Sequence, residues 1–213
     1  MARVITAVGE WEPPALVGLC EVENDTVLRD LTRRSPLKEL NYRYVMTDSP
    51  DLRGIDVALL YQRDLFKLLS FRSVSIPPLK QFRPTRDLLH VSGLLLTGDT
   101  LDVFVCHLPS RSGGAKESEP YRLHAARILY TEADSILNIR LHHKLSLWEI
   151  SMTIRPIIYS ENTGSRISFA NCSFSFKALP FTCPKSPIQK FRFIQISGRM
   201  GITRSPNCIR FST

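Results

Sequence analysis

Leu101-Asp102-Val103-Phe104-Val105-Cys106-His107-Leu108-Pro109-Ser110-Arg111-Ser112-Gly113-Gly114 reads as an apolar strand running into a polar, glycine-rich loop. Upstream, Asp87 to Leu96 reads as a second strand. The two are separated by Thr97-Gly98-Asp99-Thr100, a hairpin turn signal. Downstream, Tyr121, Ala125, Ile128, Leu129 and Ala133 give the stretch from Glu117 to Leu137 helical spacing. Moving outward, Pro14-Ala15-Leu16-Val17-Gly18-Leu19-Cys20 is a short apolar run closed by Glu21, as in a buried strand. Asn24 or Asp25 caps a helix through Leu28 and Leu31, with Arg33 and Arg34 at its end. Tyr42 to Met46, Gly54 to Tyr61 and Leu68 to Ile76 complete the strands, the last stopped by Pro77-Pro78. Strands interleaved with helices predict an α/β or α+β fold.

The chain has 213 residues, which is one large domain or two small ones. Its 43% hydrophobic and 23% charged residues exclude collagen-like, mucin-like and wholly disordered classes. No apolar run is long enough for a transmembrane helix. Glu10 comes too early for a signal-peptide core, and nothing in the sequence names a compartment or an oligomeric state. The five cysteines are an odd number without a C-x-x-C pair, which supports neither a zinc site nor a disulfide framework.

Charge divides the chain. Residues 1–140 hold 18 basic and 18 acidic side chains, whereas residues 141–213 hold ten basic ones against Glu149 and Glu161 alone. The whole net charge of +8 therefore sits in the last third. That third is rich in Ser and Ile and keeps neither a helical nor a strand period for long. Phe169 to Phe176 alternates enough for one strand, and Pro180, Pro184 and Pro187 break any longer element. The expected division is a domain over 1–140 and an irregular tail over 141–213.

Four patterns occur in order: Gly18-Leu19-Cys20-Glu21-Val22-Glu23-Asn24, Arg53-Gly54-Ile55-Asp56-Val57-Ala58-Leu59-Leu60-Tyr61, Arg83-Pro84-Thr85-Arg86-Asp87, and the loop from Val105 to Gly114. With them the chain resembles the endonuclease/exonuclease/phosphatase superfamily, nearest to a bacterial branch, over residues 1–140. The resemblance implies a partial four-layer α/β/β/α sandwich of two mixed sheets with outer helices. It implies a metal-dependent phosphodiester or phosphomonoester hydrolase, nuclease-like, using Mg²⁺ or Mn²⁺ on a phosphodiester substrate, including nucleic acid. Glu21 resembles the family's metal-binding glutamate; taken alone it is a solvated strand-end acid. His107 resembles the histidine that contacts the scissile phosphate, as hydrogen-bond donor or general acid. Arg111 is a candidate for bidentate phosphate contact. Arg53 and Arg86 are weaker candidates, because Asp51, Asp56 and Asp87 stand near them as ion-pair partners. Glu23 and Asn24 are assigned to capping.

The family pattern also expects an early asparagine strand, a G-D-F-N-type motif after the long helix, a later Asp-bearing strand and a final Asp-His pair. Here Met1 is expected to stand in the helix after that first strand, and no Asp occurs beyond Asp134. Reading the codons of Ser146 to Arg155 one frame over, each third base with the next two, forces glycine at Trp148-Glu149 and aspartate at Met152-Thr153, and permits I-M-G-D-F-N-D-Y-P. From Gln195 to Ile209 the other frame forces tryptophan at Met200-Gly201 and permits K-Y-Q-G-E-W-G-L-L-D-H-Q-I-V. The expectation is a chain frame-shifted after about residue 141 and incomplete as an enzyme. The alternative is a nucleic-acid-binding α/β domain with a purposeful basic C-terminal tail. A non-functional gene product is the third reading.

Overall fold

The structure is a computed structural model that describes residues 1–8, 13–80, 82–111, 113–139 and, beyond these, six short strands. The chain opens with helix α1 (Ala2–Val8), followed by strand β1 (Leu16–Val22) and helix α2 (Asp25–Arg33). The Asn24 side-chain oxygen accepts the Val27 N–H at 3.1 Å, satisfying a donor that the first turn of α2 leaves open. A 3₁₀ turn, Pro36–Leu40, had no sequence expectation and is capped by Ser35. Strands β2 (Tyr42–Met46), β3 (Asp56–Gln62), β4 (Phe66–Val74), β5 (Leu88–Leu95) and β6 (Thr100–Cys106) follow, then helix α3 (Glu119–Ile139). These are the expected elements, displaced at their ends by no more than two residues.

Pairing makes two sheets. In the first, β1 and β2 lie antiparallel on either side of β3; in the second, β4, β5 and β6 form an antiparallel meander. Each gains a parallel strand from the later chain. β7 (Lys144–Glu149) pairs with β6, and β10 (Phe193–Ile196) pairs with β1. Both sheets are therefore mixed. Between these two in sequence, β8 (Ile154–Ile157) pairs with β9 (Ser168–Asn171); near the end of the chain, β11 (Gly201–Ser205) pairs with β12 (Cys208–Ser212). The strand expected over 169–176 overlaps β9; residues 172–192, and most of the tail expected to be irregular, lie outside the described residues.

Side-chain alternation sorts the apolar residues into three cores. Leu16, Cys20, Val57, Leu59, Leu89, Val91, Val103 and Val105 meet between the sheets. Val17, Leu19, Ala58 and Leu60, on the other face, pack under Ile5 of α1 and Leu28 of α2. Leu88, Phe104 and Cys106 pack under Tyr121, Ala125, Leu129 and Ala133 of α3. Three cores separate four layers, which is the α/β/β/α sandwich.

The close fit of the inter-sheet core has a direct test. Phe66 is fully buried against Gly93, where a Cβ would overlap its ring. Gly93→Ala is expected to cost about 1–3 kcal/mol through overpacking. Urea unfolding should recover much of that loss in Gly93→Ala/Phe66→Leu, and a fully stable single variant would show that the ring has room to move.

Candidate active site

The two sheets bring the ends of β1 and β6 together. The Cys20 thiol lies 3.8 Å from the Cys106 carbonyl oxygen, so the residues that follow, Glu21 and His107, leave neighbouring strand ends. Glu21 leaves its strand in an unusual way. The β1–β3 register slips between Cys20 and Val22, so Val22 takes the inward position and Glu21 is expelled as the extra residue of a bulge. Its φ is +58°, a left-handed conformation that a glutamate adopts only where the surroundings enforce it. The bulge turns an exposed carboxylate outward between two buried neighbours.

Behind these ends lies an ion cluster. Arg86, buried just before β5, donates from Nη1 to Asp51 at 2.9 Å. Its Nε and Nη2 donate to the His107 carbonyl at 3.1 and 2.6 Å, and Nη2 also reaches the Leu108 carbonyl at 3.1 Å. Asp51 accepts two further bonds from the Arg53 guanidinium, at 2.9 and 3.1 Å, and one from the Arg53 N–H. Burial opposes the Asp51 charge, but hydrogen bonds from Arg53 and then Arg86 hold its carboxyl well below the ordinary carboxylate range. The Glu21 charge in turn helps to keep Arg53 protonated. The His107 imidazole is mostly buried, and its Nδ1 has no hydrogen-bond partner. Burial first, then the charges of Arg86 and Arg53, push its pKa down to about 3 against the opposing pull of Asp51. It is a neutral imidazole over the physiological range.

The candidates from sequence therefore fall into two groups. Glu21, Arg53 and His107 converge, and Arg111 is exposed on the loop that follows His107. Arg86 stands apart from the phosphate-contact candidates, since its donors are spent on Asp51 and on the backbone. Of its three suggested carboxylate partners only Asp51 pairs; Asp56 accepts from Thr47 and Ser49, and Asp87 accepts from Ser73. Sequence reading missed Asp51 as the hub of the cluster, because nothing local distinguishes it from Asp48 or Asp56.

Residues 1–148 match the model of the Endonuclease/Exonuclease/phosphatase family. The chain belongs to this family. No curated protein matches it. Among solved structures it is similar to TDP2 from C. elegans, with 19% identity over 68% of this chain and 39% of that one and a TM-score of 0.51. It is also similar to ANGEL2, a 2',3'-cyclic phosphatase, in complex with adenosine-2',3'-vanadate, with 17% identity over 62% and 37% of the two chains and a TM-score of 0.51. These likenesses support the sandwich fold, and the chain spans half or less of the length of the structures it matches.

Family members of this kind raise the question of a divalent cation. Asp51 commits both carboxylate oxygens to guanidinium groups, so a metal at this cluster would draw its carboxylate ligand from Glu21. Glu21 and Asp51 against Arg53 and Arg86 sum to no net charge. No group of three His, Cys, Asp or Glu suited to a metal occurs among the described residues. A hard cation with near-octahedral demands does not fit this set by itself.

Two measurements follow from the cluster. The folded pKa of His107 lies below the ordinary 6.5, so between about pH 6.5 and 3 the unfolded chain binds more protons. Stability is then unaffected by His107 above pH 6.5 and falls as the pH drops through that window. Urea midpoints of wild type should drop between pH 7 and pH 5, and by less in His107→Asn; equal drops would place His107 in water. Asp51→Asn strands the buried Arg86 charge and should cost about 3–5 kcal/mol, whereas Arg53→Ala, at an exposed guanidinium, should cost about 1 kcal/mol or less.

Proposed function

We propose that this chain carries the phosphoester-hydrolysing edge of its family in incomplete form. Glu21 is one ligand of a metal set, His107 the group that meets the scissile phosphate, and Arg53 and Arg111 contacts to its oxygens. The observation that supports this is the convergence of Glu21 and His107 at the ends of β1 and β6, linked by the Cys20–Cys106 contact and the Arg86 clamp. With a full donor set around Glu21, a divalent cation such as Mg²⁺ or Mn²⁺ would serve to neutralise charge on the phosphoryl oxygens. The described residues supply too few donors to hold it, and the chain is proposed not to turn over.

The missing donors have a proposed origin in the reading frame. β7 runs parallel to β6 and sets Glu149 beside Cys106, the residue before His107. The shifted reading that permits G-D-F-N spans the codons of residues 148–152. Its Asp and Asn would therefore emerge at the end of β7, next to the His107 loop, where a second set of polar ligands would complete the edge. The same shift accounts for the loss of Asp after Asp134 and for the charge step at 141. It thus gives the basic tail a cause other than nucleic-acid binding.

The test compares two proteins. The unaltered chain, assayed with Mg²⁺ and Mn²⁺ on plasmid DNA and on bis-p-nitrophenyl phosphate, should show no hydrolysis above background. A version with the shifted frames restored over residues 146–155 and 195–209 should gain activity, and lose at least a hundredfold of it in Glu21→Ala or His107→Ala. Metal-dependent turnover by the unaltered chain that disappears in Glu21→Ala would overturn the proposal of an incomplete site. A restored protein indifferent to both substitutions would overturn the assigned edge.

A further inference from the structure

The sandwich has a second open end, and its chemistry differs from the first. The β1–β3 register places Tyr61 opposite Leu16, five residues from Glu21 along β1, a separation of about 17 Å at the rise of a strand. Arg43 faces Tyr61 across β2 and β3 on the side that points between the sheets. From the other sheet, Phe66, Lys67 and Leu68 open β4, with Phe66 packed edge-on to Tyr61 at 5.9 Å. With Arg63, from the turn between β3 and β4, these residues line a cavity of about 550 Å³.

Three cations thus border one mouth. Among the described residues no carboxylate pairs with Arg43, Arg63 or Lys67, and Asp64 in the same turn pairs with none of them. This matters because residues 1–140 balance basic against acidic side chains, and at the opposite end Arg53 and Arg86 are paired with Asp51. Burial pushes the Tyr61 hydroxyl up, and the charges of Arg43 and Arg63 act on it in the other direction. The groove therefore combines three cations that have no paired carboxylate among the described residues, two of them planar guanidinium forks, with a half-buried aromatic side chain.

We infer that this mouth is a docking site for a single-stranded nucleic-acid segment, with phosphates on Arg43, Arg63 and Lys67 and a base against Tyr61. Guanidinium forks match phosphate oxygens bidentately. Aromatic platforms in a basic groove hold bases without sequence preference. An acidic peptide would satisfy the cations but would leave the aromatic unused, so the nucleic acid is favoured. The inference is independent of the hydrolytic reading and holds for a chain without turnover.

The experiment measures binding of fluorescein-labelled dT12 to the full chain by anisotropy over a range of salt concentrations. Every variant keeps the same basic residues 141–213, so differences between variants report the groove. Arg43→Glu/Lys67→Glu should weaken binding at least tenfold and flatten the dependence of log K on log salt by about 0.7 for each phosphate no longer neutralised. Arg63→Glu should weaken it several-fold. Tyr61→Leu, which keeps apolar bulk against Phe66, should weaken it about fivefold or more. Arg43→Gln/Lys67→Gln guards against misfolding and should give an intermediate loss with an unchanged far-ultraviolet spectrum. Unchanged affinity and salt slope in both double variants would overturn the inference and place binding on the tail or the Glu21 edge. Equal affinity and equal variant sensitivity for an oligoglutamate of matched charge would overturn it in favour of a peptide site.

Discussion

Arg86 brings a planar set of N–H donors and a charge it cannot shed into an interior where neither tolerates neglect. Its partners lie on both sheets. Asp51 comes from the connection between β2 and β3 of the first sheet, and the His107 and Leu108 carbonyls follow β6 of the second. One side chain thereby ties the sandwich together at the end where Glu21 and His107 emerge. It also satisfies carbonyls that the end of β6 would otherwise leave unpaired beneath the loop. The position of His107 is set through its own backbone, so the imidazole inherits its place from a guanidinium it does not touch through the ring. The same guanidinium, by its charge, disfavours protonation of that ring. Burial is the larger cause of the neutral ring, and the guanidinium that fixes its position adds to it.

The Glu21 bulge is the counterpart on the other sheet. A regular β1 would point residue 21 toward the α1–α2 layer, where Val22 now packs. The extra residue spares the core a carboxylate and turns it to the edge instead. The cost is a left-handed glutamate, and β1 stays paired with β3 on both sides of it with the register shifted by one residue. Backbone strain at Glu21 and the electrostatics of the cluster thus meet at one end of the sandwich. Arg53 joins the two halves, held by Asp51 on one side and subject to the Glu21 charge on the other.

Much of this architecture was legible in the sequence because its determinants are local. Apolar runs bounded by proline and acidic residues marked β1 and β3, Asn24 marked the start of α2, and the spacing of Tyr121, Ala125 and Leu129 marked α3. Glu21 and His107 were singled out through the family resemblance, and local pattern alone showed only that each follows an apolar run. The cluster was not. Asp51, Arg86 and the Leu108 carbonyl are separated by tens of residues, and no local pattern chooses Asp51 over Asp56 as the partner of Arg86. The bulge was equally silent, since a left-handed position is usually announced by glycine and this one holds a glutamate. The mouth between Arg43 and Lys67 arises from register across three strands, which periodicity does not specify.

The two parallel strands beyond residue 140 bear on how much of a sheet depends on side-chain identity. Main-chain pairing of β7 with β6 depends on backbone donors and acceptors that every residue except proline carries. A strand position beside β6 therefore tolerates changed side chains far better than a ligand position does. Among the described residues, strands β1 to β6 and the three cores they build with α1, α2 and α3 come from residues 1–139. Scaffold and site chemistry thus make different demands on the chain: the first rests on burial and main-chain pairing, which many side chains satisfy, the second on a few polar groups at fixed positions.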